Sequence, residues 1–127
     1  MPRAVESPQS TASEPGAPVQ VDLRANLVTD APVPVCLPVT LRHDPADDPR
    51  ALTVLLPRPG PGPGRHTWTF PRALLEAGLR APAEQDDVRI WPCGRVQAVL
   101  ELHTAQGMLL LQFDCAPLVR FLRRTYG

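Results

Sequence analysis

The feature that most constrains the fold of this chain is an alternation of apolar and polar side chains that recurs along most of its length. The alternation is unbroken over residues 19–27, where Val19, Val21 and Leu23 begin the apolar set. A two-residue period is typical of a strand with one buried face. Because turn-forming residues separate the successive stretches, we expect the strands to form an antiparallel sheet.

Further stretches with the same period predict the remaining strands. They span residues 33–41, 52–56, 65–70, 88–91, 95–103 and 108–113. Two helices are also predicted: one begins at Pro71 and stops at Gly78, and the other is capped by Asp114. The predicted fold class is α+β, a twisted antiparallel sheet of about seven strands with two α-helices.

Two prolines limit the pairing of the second strand. Pro34 and Pro38 share a parity, so the amide donors that they remove lie on one edge of the strand. The other edge stays free to pair. We expect this strand to lie at the edge of the sheet or to be interrupted there by a bulge.

Composition divides the chain into a tail and one domain. Residues 1–18 are rich in Pro, Ser, Ala and Glu and bury too little apolar surface to offset the entropy of ordering, so we predict a disordered tail. Residues 19–127 suffice for a single domain with its own core. No window approaches the roughly 18 apolar residues of a membrane span, which predicts a cytoplasmic chain without direct membrane insertion.

Charge and cysteine content argue against several classes of function. The 13 basic residues are all arginine and balance 13 acidic residues. A formal net charge of +0 provides no global attraction to nucleic acid or anionic membranes, so such binding needs a local patch. The three cysteines and three histidines lack zinc-motif spacing, and no metal or other cofactor is expected.

Two segments admit a ligand-binding interpretation beside a structural one. Asp44, Asp47 and Asp48 could hold a divalent cation, but they lack the spacing and glycine of a calcium loop, which favours turn residues that bond nearby backbone amides. The run PRPGPGPG at 57–64 could suggest a phosphate cradle. Because proline removes the amide donors of such a cradle, a mobile hairpin tip is favoured.

Four single residues are candidates for catalytic or stacking groups. His66 and Cys115 could serve a nucleophilic reaction, but neither lies in a recognisable nucleophile motif, so no catalytic residue is predicted. Trp68 and Trp91 could stack on bases or sugars. At strand positions that bracket a helix, core packing is the favoured role for both.

Two surfaces remain as candidates for protein binding. Met108 and Leu110 make the outer face of the last strand apolar, and such a face needs a helix, a second sheet or another subunit to cover it. We predict an oligomer interface there. The last helix carries Leu118, Phe121 and Leu122 on one face and Arg120, Arg123 and Arg124 on the other.

These three arginines, the arginine stripe, have three possible roles. They can be a solvated face that suits the helix dipole, a docking site for an acidic partner segment, or a phosphate site. The solvated face is the structural default. Partner binding is the functional prediction.

Four blocks of the sequence together resemble a known family. They read VPVCLPVTLRHDPADDPRALTVLL at 33–56, WTFPRALLEAGLRAP at 68–82, DVRIWPCG at 87–94 and FLRRTY at 121–126. They are similar to the SsgA-like proteins, small sporulation and cell-division regulators of streptomycetes and related actinobacteria. The resemblance covers roughly residues 20–126.

The resemblance implies both a fold and a function. The implied fold is a strongly bent antiparallel sheet with two helices, Whirly-like in shape and assembled as a trimer. The implied function is non-enzymatic regulation of sporulation-specific septation or spore-wall assembly at division septa, by protein–protein interaction. Implied partners are further copies of the chain, other SsgA-like proteins, and division or cell-wall proteins such as the tubulin-like FtsZ.

The alternative function is that of a single-stranded nucleic-acid-binding module of the Whirly type. It would use sheet aromatics and the same arginines. The chain contains no lysine, so the lysine-bearing signature of Whirly proteins is absent. We therefore expect nucleic-acid binding to be the less favoured function.

Overall fold

The structure is a computed structural model that describes residues 16–30, 32–57, 65–105 and 107–126. This described part of the chain contains eight strands and two helices. The strands are β1 (Val19–Leu27), β2 (Val35–His43), β3 (Ala51–Pro57), β4 (Arg65–Pro71), β5 (Ala83–Gln85), β6 (Val88–Cys93), β7 (Gln97–Thr104) and β8 (Gly107–Asp114). The helices are α1 (Arg72–Gly78) and α2 (Cys115–Thr125). The predicted mixture of an antiparallel sheet and two helices is confirmed, with eight strands in place of about seven.

Two predictions concern residues that the description mostly omits. The disordered tail predicted at 1–18 lies outside the described residues apart from 16–18. The hairpin tip predicted at 57–64 lies outside them apart from Pro57. Among the residues that are described, no helix is both long and apolar enough to cross a bilayer.

Strand β5 was not predicted from the alternation of side chains. It pairs with β6 over three residues, from Ala83 opposite Ile90 to Gln85 opposite Val88. Asp86, in the turn between them, has a φ of 54°, a conformation that Asp tolerates better than most side chains. A three-residue strand is too short to display an alternation, so its sequence gave no period to detect.

The eight strands form one sheet in which all neighbours are antiparallel. Their order is β4-β3-β2-β1-β8-β7-β6-β5, so the sheet consists of two four-stranded halves. Within the described chain the halves pair over a short stretch, Asn26 with Gln112 and Leu27 with Leu111, and the Val28 N–H donates to the Leu110 carbonyl oxygen just beyond it. Trp68 Nε1 on β4 nevertheless donates to the carbonyl oxygen of His103 on β7, 3.3 Å away. The sheet therefore curves until strands that are distant in its order meet.

One buried core occupies the inside of this curved sheet. It draws on both halves and on both helices. Its largest fully buried side chains include Leu41, Leu52 and Val54 from the first half, Ile90, Leu102 and Leu111 from the second, and Phe121 from α2. Every strand except the short β5 contributes residues of a single parity to this cluster, and Val99 is also buried, on the other face of β7. The alternation in the sequence therefore identified the inward faces of β1 to β4, β7 and β8.

Strand β2 lies inside the sheet, so its prediction as an edge strand is wrong. It pairs with β1 along its whole length but with β3 only at residues 40–42. Residues 35–39, which include Pro38, have a sheet neighbour on one side only within the described chain. The proline parity therefore marked a strand whose pairing is interrupted on one side.

The position of the α2 start agrees with the prediction, since Asp114 is its N-cap residue, whereas α1 begins one residue later than predicted. Pro71 ends β4 and is the extended N-cap of α1, with φ −63° and ψ 140°, so the helix begins one residue later at Arg72. Asp114 precedes α2, but its side chain makes no capping hydrogen bond. Its carboxylate instead accepts a hydrogen bond from Gln97 Nε2 at 3.3 Å, because Gln97 lies directly opposite it on β7.

Candidate functional site

Helix α2 presents two chemically different faces. Its buried face carries Leu118, Phe121, Leu122 and Thr125. Arg120, Arg123 and Arg124 are all exposed, and none of them forms an ion pair with another described residue. The exposure expected from helical periodicity is confirmed. The binding of a partner by this arginine stripe stays a prediction.

A first groove lies where α2 meets the turn between β6 and β7. The backbone N–H of Cys115 donates to the carbonyl oxygen of Val96 at 2.7 Å, which fixes the turn against the start of the helix. Arg95 and the 69% exposed Val96 form one wall. The opposite wall comes from α2 and includes Val119, Arg120 and Arg123.

A second groove separates α2 from the end of α1. Its lining includes Leu79 and Arg80 from the turn after α1, and Val119, Leu122 and Arg123 from α2. The backbone N–H of Arg80 donates to the carbonyl oxygen of Ala77 at 3.0 Å, which holds this turn in place. Val119 and Arg123 line both grooves, so the grooves adjoin along α2.

The carboxylates that line these grooves are already engaged. Asp114 accepts the hydrogen bond from Gln97, and Glu76 accepts one from the hydroxyl of Tyr126. Neither carboxylate pairs with an arginine in the described part of the chain. The grooves are therefore cationic, with apolar patches between the arginines.

The predicted apolar sheet face is exposed among the described residues. Met108 is 56% exposed and Leu110 is half-buried, and no described helix covers them. Val28, which is 48% exposed, enlarges the patch, because its backbone N–H donates to the carbonyl oxygen of Leu110 at 2.9 Å. The use of this face as an oligomer interface stays a prediction.

The acidic turn after β2 has the structural role that the sequence favoured. Asp44 Oδ1 accepts from the backbone N–H of Ala46 at 3.1 Å, and Asp48 Oδ1 accepts from that of Arg50 at 3.0 Å. Asp44 also pairs with Arg42 at 3.2 Å. Among the described residues, no group of His, Cys, Asp and Glu side chains is arranged to hold a metal ion.

Cys115 has an environment that opposes nucleophilic chemistry. Burial raises the pKa of its thiol, and the neighbouring charge of Asp114 raises it further. An activated cysteine needs the opposite shift, because the thiolate is the nucleophile. His66, the other candidate catalytic residue, stacks against Trp68 with ring centroids 5.8 Å apart.

The two tryptophans lie on opposite faces of the sheet. Trp68 packs against the core, as predicted. The same prediction for Trp91 is wrong, because Val88 and Ile90 take the inward positions of β6 and leave Trp91 half-buried on the outer face. There the guanidinium of Arg89 lies 5.2 Å from the centre of the Trp91 ring.

Comparison with known families decides what kind of protein carries these surfaces. The family model described as Streptomyces sporulation and cell division protein, SsgA, matches residues 37–127. The chain belongs to the SsgA family. The resemblance seen in the four sequence blocks is thereby confirmed.

Individual relatives agree with this assignment to the SsgA family. The sporulation-specific cell division protein SsgB of Salinispora tropica is 40% identical over 114 residues, which cover 86% of this chain and 79% of the relative. A solved SsgA-like sporulation-specific cell division protein of Thermobifida fusca gives a TM-score of 0.75 at 28% identity, covering 89% of this chain and 82% of that one. A second solved structure, which concerns SsgB mutations and longitudinal cell division during sporulation of Streptomyces coelicolor, gives 0.72 at 32% identity, covering 85% and 83%. These relatives support a role in sporulation cell division.

Two of the blocks that resemble the SsgA family are in contact in the fold. The guanidinium of Arg72 donates to the carbonyl oxygen of Thr125 at 3.0 Å and to its hydroxyl oxygen at 3.3 Å. The same group lies 3.7 Å from the centre of the Tyr126 ring. The hydrogen bond to Glu76 raises the pKa of Tyr126, which favours the protonated phenol as its donor. We call this set of contacts between α1 and the end of α2 the arginine clasp.

In this SsgA-family chain the arginine stripe follows from helical spacing, whereas the residues around it in the grooves do not. Arg80 and Arg95 lie on different elements from α2, and their contribution depends on the tertiary arrangement. The local sequence indicates only that each of these arginines lies in a turn beside an apolar residue, Arg80 after Leu79 and Arg95 before Val96. Arg124 belongs to the predicted stripe but lines neither groove.

Proposed function

We propose that this chain is a non-enzymatic regulator of sporulation-specific cell division that acts by binding other proteins, in septum-site control or spore-wall assembly. The observation that carries the proposal is the exposed arginine stripe Arg120, Arg123 and Arg124, which has no ionic partner in the described chain. Arginine is enriched at protein interfaces, where its planar guanidinium can form two parallel hydrogen bonds to one carboxylate. The relatives, which are named sporulation-specific cell division proteins, support the sporulation cell division part of the proposal.

The second part of the proposal is assembly into a homo-oligomer through the sheet face around Met108 and Leu110. No described element of the chain covers this apolar patch, and exposed apolar patches are typical of subunit interfaces. A trimer is the expected state. An oligomer would present several copies of the arginine stripe, so weak individual contacts would add by avidity at a polymer or a wall-synthesis complex.

The proposed partners are division or cell-wall proteins, among them FtsZ, and other SsgA-like proteins. The proposed location is the cytoplasmic side of the division septum. Support for an acidic binding partner comes from the charge of the α2 surface. Binding at the septum would then follow from binding to proteins already assembled there.

Reversal of the stripe tests the proposed adaptor role. The triple variant Arg120→Glu, Arg123→Glu, Arg124→Glu is expected to capture at least about tenfold less division or wall-synthesis protein in a pull-down. The estimate follows because three exposed ion pairs at about 0.5 kcal/mol each amount to roughly one order of magnitude in affinity. Unchanged capture by a folded triple variant would contradict the proposal.

The control for this experiment separates protein binding from nucleic-acid binding. Arg89 above Trp91 on the outer sheet face is the observation that favours single-stranded nucleic acid. A gel shift with a single-stranded oligonucleotide should therefore be run across a salt series. Binding to phosphates would weaken steeply with salt and would depend on Trp91, whereas the adaptor role predicts no specific shift.

The oligomer is tested by placing charge on the apolar sheet face. Met108→Glu combined with Leu110→Glu is expected to convert the oligomer into monomers in sedimentation-velocity experiments, because a buried unpaired carboxylate destabilises an interface. Gln20→Glu, at an exposed position on β1, is the matched control and should sediment like the wild-type protein. An oligomer that survives both substitutions would place the interface elsewhere.

A further inference from the structure

We propose that the docking site is the pair of grooves on either side of Val119 and Arg123, and that its occupant is an acidic peptide segment carrying apolar side chains. This inference rests on the adaptor function proposed above and specifies its partner. It also changes the composition of the site. Arg80 and Arg95 join the arginine stripe as binding residues.

Four arginines from three separate elements converge on the grooves. Arg80 follows α1, Arg95 lies in the turn between β6 and β7, and Arg120 and Arg123 belong to α2. All four side chains are exposed. Hydrogen bonds of the neighbouring backbone hold both turns in place, at Ala77 and at Val96. The positive charges are therefore carried on fixed elements, which lowers the entropic cost of binding.

The balance of charge in the grooves selects an anionic occupant. Against the four arginines the lining contains two carboxylates, Asp114 and Glu76, which leaves a formal excess of two positive charges. Both carboxylates are hydrogen-bonded to other groups, Gln97 and Tyr126. The arginines thus lack carboxylate partners within the described chain, and a ligand that supplies carboxylates complements them.

The apolar part of the lining distinguishes a peptide from a nucleic acid. Val96 is 69% exposed between arginines, and Val119 lies on the ridge that the two grooves share. Aliphatic side chains of this kind favour burial of leucine-like residues. Binding of single-stranded nucleic acid instead needs aromatic rings for stacking. The one aromatic side chain in the described lining, Tyr126, already has Arg72 over its ring at 3.7 Å.

Fluorescence polarisation with the full chain tests the chemistry of the occupant. The probe is a fluorescein-labelled peptide in which pairs of glutamate alternate with pairs of leucine. We expect saturable binding that weakens as salt rises. Replacement of the leucines by serine should weaken binding about tenfold or more, because the apolar contribution is lost. Absence of binding, or equal binding of the serine peptide, would overturn the proposal.

The double variant Arg80→Glu, Arg95→Glu tests the position of the site, since neither residue belongs to the stripe. It should bind the leucine-containing peptide about tenfold more weakly, while Arg24→Glu, the same charge change on β1, should leave affinity unchanged. Equal denaturation midpoints establish that all variants are folded. A single-stranded oligonucleotide that displaces the peptide and loses affinity in the same variant would replace the peptide proposal with a nucleic-acid site.

The two proposals fail in different ways. If Arg80→Glu, Arg95→Glu has no effect on peptide binding while reversal of the stripe abolishes partner capture, the adaptor function stands and the groove site is wrong. If reversal of the stripe leaves partner capture unchanged, the adaptor function itself is wrong. Peptide binding to the grooves would then have to be explained by another role.

Discussion

Replacement of Gly78 by alanine is expected to lower the free energy of unfolding by about 1–3 kcal/mol, as an overpacked core does. A Cβ atom at this position would lie 2.4 Å from Cβ and 2.5 Å from Cγ2 of Ile90, and 3.0 Å from its carbonyl oxygen. Ile90 is fully buried on β6, and its Cβ and carbonyl oxygen are fixed to the strand backbone, so they can move away only if the strand itself moves. The end of α1 therefore rests on β6 at a distance that only glycine permits.

The sign of this effect is what makes the experiment decisive. Inside an ordinary helix a change from glycine to alanine stabilises the protein by up to about 1 kcal/mol. The neighbouring Ala77 is exposed, so Ala77→Gly is the matched control and should cost about 1 kcal/mol through helix propensity alone. Urea denaturation at a fixed protein concentration measures both. If Gly78→Ala were as stable as the wild-type protein, the close packing of α1 on β6 would be refuted.

Gly78 also illustrates which features of this fold can be predicted from sequence. Its position at the end of α1 was predicted from its place after a run of helix formers. The physical requirement for glycine differs from the predicted one. Gly78 does not adopt the positive φ of a C-cap glycine, and the C-cap is Leu79 in a right-handed conformation. Local sequence marks where a helix ends. It does not reveal which strand the helix will approach.

The same division between local and long-range information applies to the strands. Seven strands could be predicted because their side chains alternate between a solvent-exposed face and a buried face, and this alternation is visible in the local sequence. Strand β5 is held by its pairing with β6 and has no period of its own. The side chain of Asp114 was expected to cap α2, but its carboxylate instead accepts a hydrogen bond from Gln97, its cross-strand neighbour. Cross-strand partners depend on register, which the sequence of one strand does not state.

The candidate site was predictable to the extent that it lies on a single helix. Arg120, Arg123 and Arg124 have helical spacing, so their common face follows from geometry. Arg80 and Arg95 reach the same grooves from separate turns, and only the folded sheet brings those turns beside α2. Contacts of this kind carry no periodic signal. They become visible when the topology is known.

Replacement of Arg72 by methionine is expected to lower the free energy of unfolding by about 2–4 kcal/mol. One guanidinium nitrogen is shared between the carbonyl and hydroxyl oxygens of Thr125, and loss of this charge-assisted interaction costs about 1.5–3 kcal/mol. Loss of the cation–π contact over Tyr126 adds about 0.5–1 kcal/mol. Methionine keeps the apolar stem of the side chain, so the loss reports the guanidinium rather than packing. The denaturation midpoint measures the change.

Two companion variants determine whether the arginine clasp works as a unit. Arg72→Lys keeps the charge but lacks the planar guanidinium, which donates to Thr125 through one nitrogen while it lies over the Tyr126 ring, so it should recover only part of the lost stability. Arg80→Ala, which removes an exposed arginine near the other end of α1, should change stability by no more than about 0.5 kcal/mol.

A double-mutant cycle of Arg72→Met with Tyr126→Leu should give a coupling energy near 1 kcal/mol, because the two groups are in contact. Additive effects would mean that Arg72 and Tyr126 stabilise the ends of α1 and α2 independently. A measurable coupling would instead mean that the segment after β4 and the end of α2, 53 positions apart, are held together by one side chain.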